Sequence, residues 1–201
     1  MKSKIILIGG GSASGKTLLA THLKEKLKDV LLIAFDNYCK AHPELSKEER
    51  ELINYNHPDS YDHKELINDL TNIMNNDSYS LPTYDFTTHL RKAERQKVKQ
   101  CKYIIIDGIF SLFYKELLPL ADFKIFCLAN EDVRLSRRIN RDIKERGRSK
   151  ESVLMQWEAT VKPMHYLYIE PTKSNADYIL LNNENNGLNE TIVNDIINKI
   201  N

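Results

Sequence analysis

The stretch Gly10-Gly11-Ser12-Ala13-Ser14-Gly15-Lys16-Thr17 decides the fold of this chain, because it follows the pattern G-x-x-x-x-G-K-T. The apolar run Ile5 to Ile8 in front of it predicts a buried strand, and Leu18 to Leu27 behind it predict a helix. A glycine-rich loop between a strand and a helix can wrap closely around a polyphosphate, binding it through backbone N–H groups. In this setting Lys16 reaches the β- and γ-phosphates, and the Thr17 hydroxyl binds Mg²⁺. The motif therefore predicts a site for ATP or GTP with Mg²⁺ as cofactor.

The size and composition of the chain fit one α/β domain. It has 201 residues, of which 41% are hydrophobic, and a formal net charge of +1. A nearly neutral chain has no general attraction to nucleic acid or membrane surfaces, and no apolar run approaches the ~20 residues that span a bilayer. We therefore expect neither a nucleic-acid nor a membrane partner. The start Met1-Lys2-Ser3-Lys4 precedes an apolar run too short for a signal peptide, and the cysteines Cys39, Cys101 and Cys127 lack metal-binding spacing, so a cytoplasmic location is expected.

Apolar runs alternate with helical patterns along the chain, which predicts a doubly wound, mostly parallel sheet flanked by helices. Ligands should then gather at the carboxyl ends of the strands. The predicted strands are Ile5–Ile8, Val30–Phe35, Tyr103–Ile106, Phe123–Leu128 and Tyr178–Leu181, and the predicted helices are Lys16–Lys28, His63–Asn75, Phe110–Leu117, Asp132–Glu145, Glu151–Tyr168 and Asn189–Ile200. Ser80 to Lys99 is very polar and predicts an excursion or hairpin outside the core, and Asn182 to Gly187 predicts a loop.

Acidic residues follow two of the predicted strands. Asp36 ends the second strand, where an acid faces the γ-phosphate and the hydroxyl that attacks it in line. Such a carboxylate can accept the hydroxyl proton and help to organise Mg²⁺. Asp107 ends the third strand, the usual place of a second anchor for the metal in P-loop proteins. Each acid keeps an alternative interpretation as a helix cap or turn residue.

Arginines recur along the predicted helix Asp132–Glu145 and just beyond it. Arg134, Arg138, Arg141 and Arg148 follow spacings of four, three and seven, so they could share one helical face. A solvated charged face is one interpretation of this run. A lid that brings cations over the phosphates and excludes water is the other. Nucleic-acid binding would also use such a stripe, but the neutral total charge argues against it.

A further group of residues combines aromatic rings with polar tips. Rings of this kind suit a flat polar ligand such as a nucleobase, although each one alone more often packs than recognises a ligand. The group comprises Tyr55-Asn56-His57-Pro58-Asp59-Ser60-Tyr61-Asp62 and Tyr84-Asp85-Phe86 with His89 and Arg91.

Together, these motifs resemble the uridine kinase (uridine–cytidine kinase) family of P-loop kinases, from Gly9 to about Leu181. The longest shared motif is the run from Arg134 to Arg148. The other motifs are Gly9 to Thr17, Phe35-Asp36-Asn37-Tyr38, His57-Pro58-Asp59-Ser60-Tyr61-Asp62, Pro82-Thr83-Tyr84-Asp85-Phe86 with His89 and Arg91, Asp107-Gly108-Ile109, Val161-Lys162-Pro163, Ile169-Glu170-Pro171-Thr172-Lys173 and Ala176-Asp177.

The resemblance implies a reaction and roles for its residues. The reaction is transfer of the γ-phosphate of ATP or GTP to the 5′-hydroxyl of uridine or cytidine, giving UMP or CMP in pyrimidine salvage. The resemblance implies that Asp36 is the general base and that Mg²⁺ is bound by Thr17, Asp36 and Asp107. It implies that the phosphates are contacted by Lys16, Arg141 and Arg146. It implies that the nucleoside is contacted by Tyr55, Asn56, Tyr84, Phe86, His89, Arg138, Arg148 and Gln156. The resemblance further implies a β-hairpin lobe at about residues 80–100 that closes over the base, a lid at about residues 137–150, and a homotetramer.

Of three departures from the family pattern, two bear on the acceptor and one on the metal. Asn56 stands where the family usually has an aspartate that grips the ribose hydroxyls, and Cys39 stands where it usually has a tyrosine on the sugar side. Asp107 replaces a glutamate. We therefore keep two alternatives. One is a kinase for another nucleoside or small alcohol, and the other is a nucleotide-binding paralogue with weakened catalysis. A GTPase switch lacks support, because the chain has no Asn-Lys-x-Asp motif.

Overall fold

The computed structural model describes residues 3–184 and 187–201. Met1 and Lys2 of the expected N-terminal start, and Asn185 and Asn186 of the expected loop, lie outside the described residues. Along the chain the main elements are β1 (Lys4–Gly10), α1 (Lys16–Lys26), β2 (Val30–Ala34), α2 (Lys47–Glu51), α3 (His63–Asn75), β3 (Tyr79–Leu81), β4 (Tyr84–Asp85), β5 (Leu90–Arg91), β6 (Gln96–Val98), β7 (Tyr103–Asp107), β8 (Phe123–Leu128), α4 (Glu131–Arg146), α5 (Lys150–Gln156), α6 (Lys162–Met164), β9 (Tyr178–Leu181) and α7 (Glu190–Ile200).

Five strands form a parallel sheet in the order β2-β7-β1-β8-β9. All five correspond to the strands expected from the apolar runs, so the prediction of a doubly wound α/β fold is confirmed. The sheet is covered on both faces. Leu7 packs in a core with Leu66 and Leu70 of α3 on one face, while Ile8 packs with Leu19 of α1 and residues of α7 on the other. Burial on both faces explains why the strands are apolar without alternation.

The order of the strands fixes the position of the candidate site. Ile8 of β1 pairs with Asp107 of β7, and Ala34 of β2 pairs with the same residue. Because parallel strands end at one edge of the sheet, the loop after β1 and the acids after β2 and β7 meet there.

The expected helix at Phe110–Leu117 is absent from the structure, and that prediction was wrong. Residues 110–117 instead form successive turns, with Phe113 N–H donating to Phe110 C=O and Leu117 N–H to Tyr114 C=O. Phe110, Leu112, Tyr114 and Leu117 are all buried. All four belong to one hydrophobic core, which they enter from successive turns rather than from one face of a helix. A short 3₁₀ helix, Leu118–Leu120, follows.

The other boundaries differ by small amounts. The second strand ends at Ala34, because Phe35–Tyr38 turns into a 3₁₀ helix. The long helix after Ser149 is continuous but irregular: π-helical segments at Trp157–Val161 and His165–Ile169 flank α6, and a 3₁₀ segment, Glu170–Asn175, ends it. The short helix α2 and its capping box at Ser46 were not predicted.

The polar stretch after α3 lies outside the central sheet, as expected. It forms two antiparallel ladders, β3 with β6 and β4 with β5. Helix α4 ends at Arg146, where Gly147 adopts a left-handed conformation with a φ of 63°, the break that a glycine at this position indicates. No helix among the described residues is long and apolar enough to cross a membrane.

Candidate active site

The loop between β1 and α1 is built on backbone conformations that require glycine. Gly10 has a φ of 131°, and a Cβ at this position would lie 2.3 Å from the carbonyl oxygen of Cys127 in the neighbouring strand. Gly15 has a φ of 99°, and a Cβ there would lie 2.0 Å from Nδ2 of Asn182. Asn182 itself donates a hydrogen bond to the carbonyl of Ser14, at 2.9 Å. The loop is therefore held against β8 and the end of β9 while its backbone amides stay available to an anion.

Lys16 lies buried under this loop at the start of α1. Its Nζ donates to the carbonyl of Gly11 at 2.9 Å, which holds the side chain across the loop. Burial lowers the pKa of Lys16, while the charges of Asp107 and Asp36 act in the opposite direction. The desolvated ammonium is thus balanced by two carboxylates at the strand ends.

Thr17 and Asp107 form an oxygen-rich pair beside Lys16. The Thr17 hydroxyl donates to Oδ2 of Asp107 at 2.5 Å. The other oxygen, Oδ1, is buried and has no hydrogen-bond partner among the described residues. Burial raises the pKa of Asp107, and the charge of Lys16 opposes this shift. A hydroxyl and a carboxylate with a free buried oxygen are the kind of oxygen ligands that Mg²⁺ takes in phosphate sites, together with phosphate oxygens and water.

Asp36 lies in the 3₁₀ turn that follows β2, next to this pair. Its Oδ1 accepts a hydrogen bond from the Tyr61 hydroxyl at 3.2 Å. Its charge also contributes to the raised pKa of Asp107. The two acids therefore share one electrostatic environment, as expected from their strand-end positions. Sequence reasoning did not assign Tyr61, although it lies in the motif from Tyr55 to Asp62.

The aromatic residues assigned to the nucleoside come together at the antiparallel lobe. The ring of Tyr55 stacks on His89, with centroids 4.7 Å apart and planes at 4°. The Tyr84 hydroxyl lies 3.3 Å from Nδ1 of His89. Phe86 meets Tyr84 edge to face and is 43% exposed. Asn37, one residue after Asp36, accepts a hydrogen bond from the backbone N–H of Tyr84 at 3.2 Å. This bond connects the lobe to the 3₁₀ turn that carries Asp36.

Arginines and a glutamine from α4, from α5 and from the link between them lie together on another side of the site, and we call this group the wall. Arg138 donates to the hydroxyl of Ser12 in the phosphate loop at 2.7 Å and to Oε1 of Gln156 at 2.8 Å. Arg148 also donates to Oε1 of Gln156. Asn56 donates to the Thr160 hydroxyl at 3.2 Å, one turn beyond Gln156. Residues assigned to the sugar and the base thus belong to one connected polar network.

Arg141 and Arg146 lie near the catalytic side of this wall. Both contact the carboxylate of Asp142. The guanidinium of Arg146 also lies 4.8 Å from the ring centroid of Phe86, so the end of α4 meets the antiparallel lobe. This contact was not predicted, because it joins segments 60 residues apart in the sequence.

Arg134 lies on the same buried face of α4 as Arg138. Its guanidinium lies 5.3 Å from the ring of Trp157. Arg134 and His165 also lie against the phosphate loop, because a Cβ on Gly11 would lie 2.6 Å from Nη1 of Arg134 and 2.9 Å from the His165 ring. Arg134 therefore packs against the residue that precedes Ser12, the loop residue that Arg138 contacts.

Burial of His165 predicts a loss of stability at acid pH. Burial, aided by the charge of Arg134, lowers the pKa of His165 to about 4, while Glu170, whose carboxylate lies 3.3 Å from Nε2, opposes the shift. An unfolded histidine titrates near pH ~6.5, so between these values the unfolded chain binds a proton that the folded chain rejects. We expect this group to lower the free energy of unfolding by about 2 kcal/mol between pH 7.5 and pH 5. Urea unfolding of His165→Gln at both pH values should lack that loss.

The matched control for this experiment is His42→Gln. His42 is a partly exposed histidine far along the chain from His165, in contact with Glu44. This variant should keep the pH dependence of the wild type. An unchanged pH dependence in His165→Gln would contradict the assignment.

The described residues contain no group of three or more histidine, cysteine or acidic side chains placed to hold a metal ion by themselves. A metal bound by the Thr17–Asp107 pair would therefore take further ligands from phosphate and water, as Mg²⁺ does in nucleotide sites. The arrangement combines an anion-binding loop, two carboxylates and a wall of arginines. Chemically, it can bind a polyphosphate, hold an attacking hydroxyl beside a base and compensate the charge on a transferring phosphoryl group.

Comparison with known proteins agrees with this chemistry. The profile of the "Phosphoribulokinase / Uridine kinase family" matches residues 5–188. A protein named uridine kinase from Staphylococcus haemolyticus (strain JCSC1435) is 44% identical over 178 residues, covering 88% of this chain and 86% of its own length. Another protein of that name, from Clostridium novyi (strain NT), is 40% identical over 202 residues, covering 100% of this chain and 96% of its own.

Solved structures show the same fold at low sequence identity. Phosphoribulokinase from Rhodobacter spheroides superposes with a TM-score of 0.63 at 16% identity, covering 90% of this chain and 70% of that one. D-glycerate 3-kinase from Cryptococcus neoformans superposes with a TM-score of 0.61 at 16% identity, covering 83% and 79%. Given the family match over nearly the whole chain and the identities of 40% and above, this chain belongs to the phosphoribulokinase/uridine kinase family of P-loop kinases.

Proposed function

We propose that this kinase transfers the γ-phosphate of ATP or GTP to the 5′-hydroxyl of uridine and cytidine, giving UMP and CMP for pyrimidine salvage. The observation that carries the proposal is the convergence of Asp36 and the phosphate loop with the aromatic lobe around Tyr84 and His89. The relatives named uridine kinase support the same acceptor. We propose that the chain acts as one P-loop kinase domain over residues 1–201, with residues of about 80–100 on the substrate side and about 137–150 as the lid.

In this proposal Asp36 is the general base for the 5′-hydroxyl. Its carboxylate lies at the strand edge beside Asp107, and the hydrogen bond from Tyr61 holds one of its oxygens. The other oxygen is then available to the attacking hydroxyl. Lys16 neutralises charge on the phosphate that is transferred, for which its buried position across the loop is suited.

The phosphate donor binds the loop from Gly10 to Thr17. Thr17, Asp107 and Asp36 are the residues that would hold Mg²⁺, which neutralises charge on the β- and γ-phosphate oxygens when it is bound. The short hydrogen bond between Thr17 and Asp107 supports this role, since it aligns two oxygen ligands on one side of Lys16.

The nucleoside lies between the aromatic lobe and the wall of polar residues. Tyr84 and His89 offer hydrogen-bonding tips to the edge of a pyrimidine, while Tyr55 and Phe86 supply ring surface. Arg138, Arg148, Gln156 and Asn56 lie on the sugar and base side, and their hydrogen bonds to one another hold them in place. Arg141 and Arg146 are the arginines that bring positive charge to the phosphates.

Asn56 predicts weaker binding of the ribose hydroxyls than an aspartate at this position would give. A neutral amide accepts hydrogen bonds from ribose hydroxyls with less strength than a carboxylate does. We expect Asn56→Asp to lower the KM for uridine by about fivefold, a gain of ~1 kcal/mol from charge-assisted hydrogen bonds, with kcat little changed. Steady-state kinetics with uridine and 2′-deoxyuridine measure the effect. An unchanged KM for uridine would show that Asn56 does not bind the ribose hydroxyls.

The experiment that tests the proposed acceptor follows ADP release from Mg·ATP with uridine, cytidine, 2′-deoxyuridine, adenosine and ribulose 5-phosphate in parallel. Turnover with uridine and cytidine well above the others supports the proposal. Turnover with another acceptor instead, or none with either pyrimidine ribonucleoside despite nucleotide binding, would overturn it.

We further propose that the protein is cytoplasmic, in keeping with its three free thiols. We also propose that it forms a homotetramer, as the family resemblance implies. Light scattering of the purified chain tests the assembly.

A further inference from the structure

A single carboxylate in helix α4 gathers three arginines of the candidate site. The side chain of Asp142 is fully buried. Its Oδ1 accepts from Nε of Arg141 at 2.9 Å and lies 2.8 Å from Nη2 of the same side chain. Nη1 of Arg146 lies 3.6 Å from that oxygen, and Nε of Arg138 lies 3.4 Å from Oδ2. Asp142 was not among the residues assigned from the sequence.

The charge balance of this cluster shows why a carboxylate is needed there. Burial, together with the neighbouring charges of Arg141, Arg146 and Arg148, lowers the pKa of Arg138 to about 10, although Asp142 acts in the opposite direction. Burial and Arg141 likewise lower the pKa of Arg146. Four guanidinium groups therefore repel one another in a poorly solvated place, and Asp142 supplies a compensating charge between them.

The three arginines held by Asp142 extend to different parts of the site. Arg138 donates to Ser12 of the phosphate loop. The charge of Arg141 acts on Lys16, whose pKa it lowers. The charge of Asp36 acts on Arg146, whose pKa it raises. One carboxylate thus contacts three cations, of which one binds the phosphate loop and the other two act electrostatically on Lys16 and with Asp36.

The contacts differ in strength. Arg141 is held by a hydrogen bond and a close ion pair on one oxygen, whereas Arg138 and Arg146 lie at 3.4 and 3.6 Å without a hydrogen bond to the carboxylate. Oδ2 of Asp142 has no hydrogen-bond partner in the part of the chain that the structure describes. Asp142 therefore fixes Arg141, whereas Arg138 is oriented by its hydrogen bonds to Ser12 and Gln156, and Arg146 by its contact with the Phe86 ring.

We propose that Asp142 is a positioning residue for phosphoryl transfer, which fixes Arg141 and keeps Arg138 beside Ser12 of the phosphate loop and Arg146 near Asp36, without neutralising either of these two through hydrogen bonds. The proposal rests on the roles proposed above for these arginines, on the phosphates for Arg141 and Arg146 and on the nucleoside for Arg138. Asp142 itself touches neither nucleotide nor acceptor, and acts through the arginines.

The test compares Asp142→Asn with Asp132→Asn, which changes an exposed carboxylate in the first turn of the same helix. We expect Asp142→Asn to lower kcat by about 30-fold, with the acceptor KM within about threefold, because the loss concerns charge placement in the transition state. Asp132→Asn should keep wild-type kinetics. The acceptor is whichever compound the wild type phosphorylates, so a failure of the uridine assignment leaves this test intact.

A double-mutant cycle separates positioning from a general structural role. If Asp142 acts through Arg141, then Asp142→Asn should cost less than about threefold in kcat once Arg141 is already alanine. An equal loss of kcat in both backgrounds, or wild-type kcat in Asp142→Asn, would overturn the proposal.

Should Asp142→Asn fail to fold, Asp142→Glu keeps the charge but moves it by one methylene. In that case a kcat lowered more than about fivefold, with a Tm within a few degrees of the wild type, supports the proposal. Wild-type kcat in Asp142→Glu overturns it.

Discussion

Replacing Asp36 with asparagine is expected to lower kcat by about 10³-fold while the affinity for Mg·ATP stays within about threefold of the wild type. General-base catalysis contributes roughly 10²–10⁴-fold to proton-transfer steps, and an amide cannot accept the proton of the 5′-hydroxyl. The substitution keeps size and shape, so the hydrogen bond from Tyr61 can still form. Steady-state kinetics and calorimetric titration with a nonhydrolysable ATP analogue measure the two quantities separately.

The control for this prediction is Asp59→Asn. Asp59 carries a carboxylate with a side chain that is 92% exposed, in the motif that also contains Tyr61. Its removal should leave kcat unchanged. Asp36→Asn with kcat within about tenfold of the wild type would show that Asp36 is not the base, whatever the acceptor. Loss of nucleotide binding in parallel with kcat would instead show that Asp36 acts mainly in binding Mg·ATP and not as the base.

Replacing Gly10 with alanine is expected to weaken Mg·ATP binding by at least about 100-fold. The added Cβ would lie 2.3 Å from a backbone carbonyl of β8, which cannot move without distorting the parallel sheet. Gly10 also has a φ of 131°, a conformation that residues with a Cβ rarely adopt. The loop must then shift, and its N–H groups no longer converge on the phosphates. Titration with the same ATP analogue measures the loss.

Gly187→Ala is the matched control for the effect of positive φ alone. Gly187 has a φ of 87°, and a Cβ there would meet no atom of the described residues within 4 Å, its chain neighbours aside. We expect this variant to lose roughly 1–2 kcal/mol of stability and to keep its affinity for ATP. Wild-type affinity in Gly10→Ala would contradict the assignment of this loop as the phosphate site.

The sheet and the phosphate loop could be predicted from sequence because their signals are local. The apolar runs that become β1, β2, β7, β8 and β9 need no knowledge of distant residues, since burial on both faces makes each strand continuously apolar. Asp36 and Asp107 could be predicted as neighbours because parallel strands end at one edge. The family resemblance then supplied the roles of residues that carry no local signal of their own.

The errors and omissions arise where the decisive contacts are distant in sequence. Phe110 and Leu117 fit a helical spacing, but they enter one hydrophobic core from successive turns that begin after Gly108, where the chain lies close to Phe35. The contact of Arg146 with Phe86 and the hydrogen bond of Asn182 to Ser14 join segments that nothing in the sequence pairs. Asp142 looks like an ordinary i,i+4 partner of Arg138 until its complete burial is seen.

The irregular helix after Ser149 has a consequence for the site. Its first π-helical segment, Trp157–Val161, carries Thr160, which accepts from Asn56 and donates to the carbonyl of Gln156 at 3.1 Å. A π-helical turn rotates the following residues relative to a regular helix, so it sets which side chains of this helix face Asn56 and, in the function proposed above, the nucleoside. Sequence patterns of apolar residues cannot predict this rotation.

The most direct test of the central claim is the identity of the product made from Mg·ATP and uridine. We predict that ³¹P NMR of the reaction shows a phosphomonoester on the 5′-oxygen of uridine, formed in equal amount to ADP. Cytidine should give the corresponding 5′-monophosphate. Release of inorganic phosphate with uridine left intact, or a phosphate on any other hydroxyl, would contradict the account.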